Sequence, residues 1–493
     1  MHQIRFSPFF KKLLRGKHTS DADKCVNSSL TMDDIPRRKS FLGIKTKLEF
    51  VAAGGGAKLH EYIDRRHQQL GPVFREKLGG YTELVFVNDP YLIRTLLLNL
   101  EGKYPAHILP EPWMLYEKLY GSQRGLFFMN GEEWLNNRRI TNKHLLKEGS
   151  ERWLEGPIKA AVSKFIQRWK NATESASFVP DLESELYRFS IDVIVAVMLG
   201  NNTTINYDQH YEILLSKFSE SVKKIFQTTT KLYGWPLNLC HKLNLKVWRD
   251  FKDCVDTSLF LAHKIVQEIL NVRQDTNGLV NILSKENISD EDIKKIIGDF
   301  VIAAGDTTTY TTLWSLFLLS KYEDIKSQAS AASPTFMNYV IKESMRLYPV
   351  APFLTRILPK DCVLGPYRLN AGTPVIASIY TSGRDETNFS KADIFLPYRW
   401  DRNNDQKKQL TNHVTLASLP FALGARSCIG KKLAMLQMTE LLNQIVENFD
   451  FQCLNKDEVK VNMSQVLVPS TDIKLAFSLK KSERKGAEDE YNL

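Results

Sequence analysis

Phe421-Ala-Leu-Gly-Ala-Arg-Ser-Cys-Ile-Gly430 is the stretch around which the rest of the chain is read. It sets one thiol, Cys428, in a glycine-bearing turn directly ahead of a helical pattern. In that pattern Ala434, Met438, Leu441, Leu442, Ile445 and Phe449 recur at three- and four-residue intervals between Lys431 and Phe449. A cysteine there faces unpaired N–H groups and the positive end of the helix dipole, which favours its thiolate. Gly424 and Gly430 let the backbone pass close to whatever the sulfur binds, and Arg426 is placed to hold an anionic group of the same ligand. A free core cysteine is ordinarily a small hydrophobe. A lone soft thiolate with no second cysteine beside it, however, suits haem iron better than zinc.

Composition narrows the class. Cys25, Cys240, Cys254, Cys362, Cys428 and Cys453 include no C-x-x-C pair, which argues against a zinc site and a disulfide-stapled secreted fold. With 493 residues, 43% hydrophobic, and no compositional break, one large catalytic domain is expected over residues 34–480. Residues 481–493 read as a disordered tail. Half of the +10 net charge lies in the first twenty residues, where Arg5, Lys11, Lys12, Arg15 and Lys17 mix with Ile4, Phe6, Phe9, Phe10, Leu13 and Leu14 and no acid occurs. Residues 1–33 therefore read as a mitochondrial transit peptide and polar linker, with a disordered basic tail as the alternative. The leader lacks the roughly 20-residue apolar span of a membrane anchor. No aromatic-interleaved basic patch points to nucleic acid.

Further clusters accompany the loop. A helix Lys58–Gln69, stopped by Gly71-Pro72, precedes two expected strands, Val73–Lys77 and Glu83–Val87, separated by Gly79-Gly80. Trp134 and Arg138 share one face of an expected helix Glu132–Leu146; a surface cation–π pair is the plain alternative. Ser289 and Asp292 form an S-x-x-D cap for a long helix reaching about Ser320, about 45 Å at 1.5 Å per residue. Its middle, Ala303-Ala-Gly-Asp-Thr-Thr-Thr309, sets a glycine, a charge and three β-branched residues in an apolar helix, against propensity. Such local conflicts are characteristic of functional sites, and threonines bonding back to earlier carbonyls are compatible with that. Ser333-Pro334 opens a helix carrying Glu343 and Arg346 and ending at Pro349; Pro397-Tyr-Arg-Trp400 comes later.

The loop, written F-x-x-G-x-R-x-C-x-G, together with these clusters resembles the cytochrome P-450 monooxygenases from about Ile35 to Lys480. The resemblance implies a mainly α fold with small β-sheets. In it haem b (iron protoporphyrin IX) lies between the long distal helix and the cysteine-loop helix. It carries over Cys428 as the axial iron ligand, with Phe421, Arg426 and Gly430 in the cofactor loop. Trp134, Arg138 and Arg356 match propionate contacts. Asp306 and Thr307 fall on the family's acid–alcohol pair, which relays protons during catalysis. The family's glycine position is Ala304 here, with Gly305 one residue later, and this bears on the depth of the oxygen groove. Glu343, Arg346 and Arg399 match a buried structural triad. Asn201–Leu245 corresponds to the substrate lid, and Leu467–Thr471 to the last turn lining the pocket.

Lys342, Lys431 and Lys432 match the basic face on which mitochondrial members dock an iron–sulfur ferredoxin, served by its reductase; a solvated surface is the alternative. Asn338 stands where the family often carries another lysine. Within the class, Arg124-Gly-Leu-Phe-Phe-Met, Val301–Thr308, Ile341–Phe353 and Ser418–Ala422 look like insect ecdysteroid 2-hydroxylases. This implies conversion of 2-deoxyecdysone to ecdysone on the matrix side of the inner mitochondrial membrane. A mitochondrial steroid hydroxylase acting at carbon 22 is the rival within the class. A haem sensor or carrier is the rival outside it, and Asp306 and Thr307 argue against that.

Overall fold

The computed structural model describes residues 30–38, 44–78, 83–121, 125–173, 177–200, 209–233, 235–271, 277–331 and 334–480. Most of the leader, Gly79-Gly80, Arg124, Gly234, Ser333 and the 481–493 tail lie outside the described residues. Described contacts begin inside the segment expected to be leader and linker: Arg368 donates its N–H to the Leu30 carbonyl, and Asp33 pairs with the buried Arg75.

The helices that build the site are α1 (Pro90–Leu98), α2 (Gly131–Leu145), α3 (Glu151–Thr173), α4 (Leu182–Leu199), α5 (Gln209–Leu232), α6 (Lys246–Asn271), α7 (Asp290–Lys321), α8 (Pro334–Leu347) and α9 (Lys431–Asn448). Helix α7 starts where the Ser289 hydroxyl accepts the Asp292 N–H and then runs through the core, buried on nearly every face. Its apolar course admits hydroxyls because each returns to a carbonyl four residues earlier: Thr307 to Ala303, Thr311 to Thr307, Thr312 to Thr308 and Ser315 to Thr311, all at 2.8–2.9 Å. These hydroxyls are satisfied inside the helix, so the neighbours facing them can be apolar. Helices α4, α6, α8 and α9 pack around it, and α3 joins α4 to α9. The expected lid region forms α5 and the short helix Leu237–Lys242.

Beside this core stands one four-stranded sheet in the order β1 (Val73–Glu76), β2 (Leu84–Val87), β4 (Pro374–Ser378), β3 (Phe353–Ile357). β1 and β2 are antiparallel with Val73 opposite Val87, β2 and β4 are parallel with Val85 beside Val375, and β3 opposes β4 with Arg356 facing Val375. The expected strand pair and the mainly α class with small sheets are thus both present. The hairpin of Val461–Ser464 and Val466–Pro469 differs from expectation at Leu467. That side chain is buried in the core and its N–H is held by the Val350 carbonyl, so from here only the residues after it are open to a pocket.

Candidate active site

Helix α9 begins at Lys431 with Gly430 as its cap, so Cys428 sits two residues ahead of the cap, on a loop closed by the Cys428 N–H donating to the Phe421 carbonyl at 2.8 Å. The thiol is exposed although protein crowds it from most directions, which is the signature of a group facing an interior opening. Burial pushes the thiol pKa up. The Gly430 N–H and the charges of Arg138 and Lys431 pull it back without prevailing. The helix terminus alone therefore does not make the free thiolate favourable, contrary to the sequence expectation; metal coordination is what deprotonates such a thiol.

The glycines of the loop divide their roles. Gly424 sits at φ +80°, and a Cβ there would overlap the Leu97 carbonyl and the Glu101 carboxylate. Its smallness serves the packing of the loop on α1, not approach to a ligand. Gly430 takes an ordinary conformation, with its Cβ direction 3.9 Å from the Cys428 sulfur.

A second group of side chains gathers next to the loop. Arg138 on α2 is buried and donates to the Ser427 carbonyl, while its Nε has no partner. Trp134, one turn earlier, is 1% exposed and lies 4.3 Å under the Arg426 guanidinium. Arg356 on β3 donates to Glu101 at 2.7 Å and leaves Nη2 unpartnered. Arg426 is largely spent: it donates to the carbonyls of Pro105, Leu126 and Met129 and to the Asn130 side chain. It therefore clamps the 105–130 segment onto the loop, in addition to any anion it was expected to hold. Burial and the charges of Arg356 and Arg138 pull its pKa down to about 10.

Sequence reasoning missed two members of this group. Glu101 accepts the Ala425 N–H at 2.8 Å and so ties the loop to Arg356. His107 is half-buried, with both ring nitrogens buried and unpartnered, and burial, then the charges of Arg426 and Arg356, pull its pKa down to about 3. Neither lies in a repeated spacing that a reader could notice. Three guanidinium groups facing one carboxylate leave two buried positive charges unmatched, and buried charge is costly unless paired. The Arg138 Nε, the Arg356 Nη2 and the His107 nitrogens are buried atoms without acceptors, suited to the two carboxylates of haem b. The residues fit the cofactor.

On helix α7, Ala303 and Thr307 are the only exposed positions between Lys295 and Ser320. Asp306 is instead 2% exposed, with Oδ2 unpartnered, and burial together with Glu183 pushes its carboxyl well above the usual range. Gly305 turns away from the opening: a Cβ there would overlap the Tyr187 hydroxyl on α4. Its glycine thus serves helix packing, and Ala304 remains half-buried at the family's glycine position.

Glu343, Arg346 and Arg399 are brought together with side chains 0% exposed. The carboxylate accepts from Arg346 at 2.8 and 3.0 Å, from Arg399 at 2.8 Å, from the Leu396 N–H at 3.0 Å and from Trp400 Nε1 at 2.8 Å. Trp400 is a fourth partner that the sequence motif did not announce. Lys342 and Lys431 are exposed and close enough, with Arg402, to depress the Lys342 ammonium after burial has done so. Lys432 departs from the docking expectation. It is paired with Glu151 and donates to the Lys147 carbonyl, so its charge is neutralised locally. Asn338 accepts a hydrogen bond from Thr439 and joins α8 to α9.

A model of the cytochrome P-450 family matches residues 36–477. The chain is 38% identical, over 90% of its length and 88% of the relative's, to "cytochrome P-450 315a1, mitochondrial" of Drosophila melanogaster. It is 29% identical to the mitochondrial 1,25-dihydroxyvitamin D(3) 24-hydroxylase of Rattus norvegicus, over 87% and 86% of the two chains. With the mitochondrial cholesterol side-chain cleavage enzyme of Oncorhynchus mykiss it shares 26% identity over 89% of each. An open thiol loop, a buried excess of positive charge beside it and a family match over nearly the whole chain converge: this chain belongs to the cytochrome P-450 family, as a haem-binding monooxygenase of the mitochondrial class.

Proposed function

We propose that the enzyme hydroxylates a steroid, 2-deoxyecdysone at carbon 2 to give ecdysone. The resemblance of Val301–Thr308 and Ile341–Phe353 to insect ecdysteroid 2-hydroxylases supports this choice, as does the 38% identity to an insect mitochondrial relative. The observation that carries the catalytic reading is the exposed Cys428 set beside buried, unmatched arginine charge. Haem b, when bound through the Cys428 thiolate, supplies the oxygen activation and C–H hydroxylation. Arg138, Arg356 and His107 would hold its propionates, with Trp134 and Arg426 supporting that wall. Thr307 presents its hydroxyl to the pocket and Asp306 stands next to it as a protonated reservoir. The Glu343–Arg346–Arg399 triad holds rigid the segment leading into the cysteine loop.

Electrons come from an iron–sulfur ferredoxin and its reductase, docking on Lys342, Lys431 and Arg402. The site of action is the mitochondrion, with residues 1–33 bearing the targeting leader and the enzyme peripheral on the matrix side of the inner membrane. Among the described residues no helix is long and apolar enough to cross a membrane. Leu48 and Val51 on the helix Ile44–Ala52 are exposed, as are Trp235, Leu239 and Leu243 around the helix Leu237–Lys242. Gly56, just past the first group, approaches Thr230, just before the second, and we read the two as one face. That side is suited to lie on a lipid surface.

The test is product analysis after incubating the holoenzyme with 2-deoxyecdysone, ferredoxin, its reductase and reduced nicotinamide cofactor. Ecdysone is the expected product. Hydroxylation at carbon 22 instead refutes the regiochemistry, and activity only with a microsomal flavoprotein reductase refutes the electron donor.

A further inference from the structure

We propose that Glu183 and Tyr187 on α4, together with Tyr310 on α7, form a proton-entry ladder that reaches Asp306 from the α4 side, and that Gly305 is small so that the Tyr187 hydroxyl can lie against α7. This rests on the monooxygenase reading of Asp306 and Thr307.

Two pairs of side chains at helical i,i+4 spacing interleave where α4 and α7 cross. Asp306 and Tyr310 lie on one face of α7, and Glu183 and Tyr187 on one face of α4. The Tyr310 hydroxyl donates to Glu183 Oε1 at 2.8 Å, and Lys223 of α5 pairs with the same oxygen at 2.7 Å. This outer end reaches water, the Glu183 side chain being 20% exposed and that of Lys223 42%. The inner end is dry. The Tyr187 hydroxyl and Asp306 Oδ2 are both buried without a hydrogen-bond partner, and the hydroxyl occupies the space a side chain at 305, next to Asp306, would need. Buried polar atoms rarely go unpaired, and two that act on one another electrostatically call for an explanation. A phenol beside a protonated carboxyl is a short step from a shared hydrogen bond, made directly or through one water.

Burial and the Glu183 carboxylate hold the Asp306 proton on, Lys223 opposes them, and Tyr187 and Tyr310, whose own phenols are pushed up by burial and by Asp306 and Glu183, stay neutral beside it. Asp181 and Asp472 lie further out, around Lys223 and Tyr310. When Asp306 gives up a proton toward Thr307, its carboxylate takes the phenolic proton of Tyr187. Tyr187 in the same step takes a proton that has entered from water at the Lys223 end and is handed on by the Glu183 carboxylate, which Tyr310 and Lys223 hold in place. One proton enters for each that leaves, no electron moves, and Tyr187 never stands as a free phenolate.

Infrared difference spectra of the ferric, substrate-free holoenzyme in light and heavy water follow the Asp306 carboxyl, its band assigned by its loss in Asp306→Asn. Tyr187→Phe keeps the ring and removes one oxygen, and Glu183→Gln keeps the shape of the outer end. Both are expected to slow hydrogen–deuterium exchange of that carboxyl about tenfold or more and to raise the solvent isotope effect on kcat while KM for steroid stays put. Gly305→Ala, which displaces Tyr187, is expected to slow exchange likewise. Wild-type exchange rates in Tyr187→Phe and Glu183→Gln, or no protonated Asp306 band at all, overturn the ladder. Absence of the red-shifted carbon monoxide band in the wild-type protein overturns the underlying reading instead.

Discussion

Burial first, then the charges of Arg426 and Arg356, hold the His107 pKa at about 3 against 6.5 for a free imidazole. The unfolded chain therefore binds this proton first. Stability from His107 is lost as pH falls below 6.5 toward 3, by about 1.4 kcal/mol per pH unit. In the haem-free protein, His107→Gln is expected to lose about 1.4 kcal/mol less than wild type between about pH 7.5 and about pH 5.5, measured by denaturant unfolding. If the haem propionates lie beside the ring, as proposed, haem binding raises its pKa and the difference shrinks. An unchanged difference in the holoprotein places the propionates elsewhere. For Cys428 the expectation is qualitative. Cys428→Ser removes the red-shifted carbon monoxide band of the reduced protein, and retention of that band removes Cys428 from the iron.

The Glu343 cluster tests how an element is held in place. Arg399→Leu strips one donor from a fully buried carboxylate, which costs about 3–5 kcal/mol because the charge is left partly uncompensated. Denaturant unfolding reads the loss, and haem content per protein falls with it because Arg399 also anchors the Ser390 and Lys391 carbonyls. A change under about 1 kcal/mol contradicts this account. At this scale the sequence was most legible where periodicity is strong: the two long helices and the β1–β2 pair lie within one or two residues of expectation. The supports of the thiol loop were not. Glu101 and His107 act on residues about 250 to 320 positions away, and no local spacing encodes such a contact. Gly424 and Gly305 were readable as glycines, but what each makes room for depends on helices that pack from elsewhere. The thiol was misjudged for a related reason: the helix end is visible in sequence, whereas burial is not.

Across the whole molecule the charges sort themselves into used and unused. Lys342, Lys431 and Arg402 stand exposed together, whereas Lys432 is already neutralised by Glu151. Lys431→Glu is therefore expected to raise the KM for ferredoxin roughly tenfold, about 1.4 kcal/mol, and to flatten its salt dependence. Lys432→Gln should move that KM less than about twofold, since a charge already paired contributes little to steering a partner. Titrating ferredoxin at two ionic strengths checks both; equal effects from the two lysines would mean that the Glu151 pair opens in solution. The leader expected over residues 1–33 runs into contacts at Leu30 and Asp33, so a truncation at Leu30 removes less structure than one at Asp34.

The parallel pairing of Val85 with Val375 has a consequence for how the chain comes into being. An early hairpin cannot complete its sheet until a strand synthesised far later arrives, and closing so wide a loop is entropically slow. A nascent chain thus carries an open strand edge for most of its emergence. Such a protein passes through an interval with its sheet incomplete by construction, and its hazard during biogenesis is aggregation at that edge.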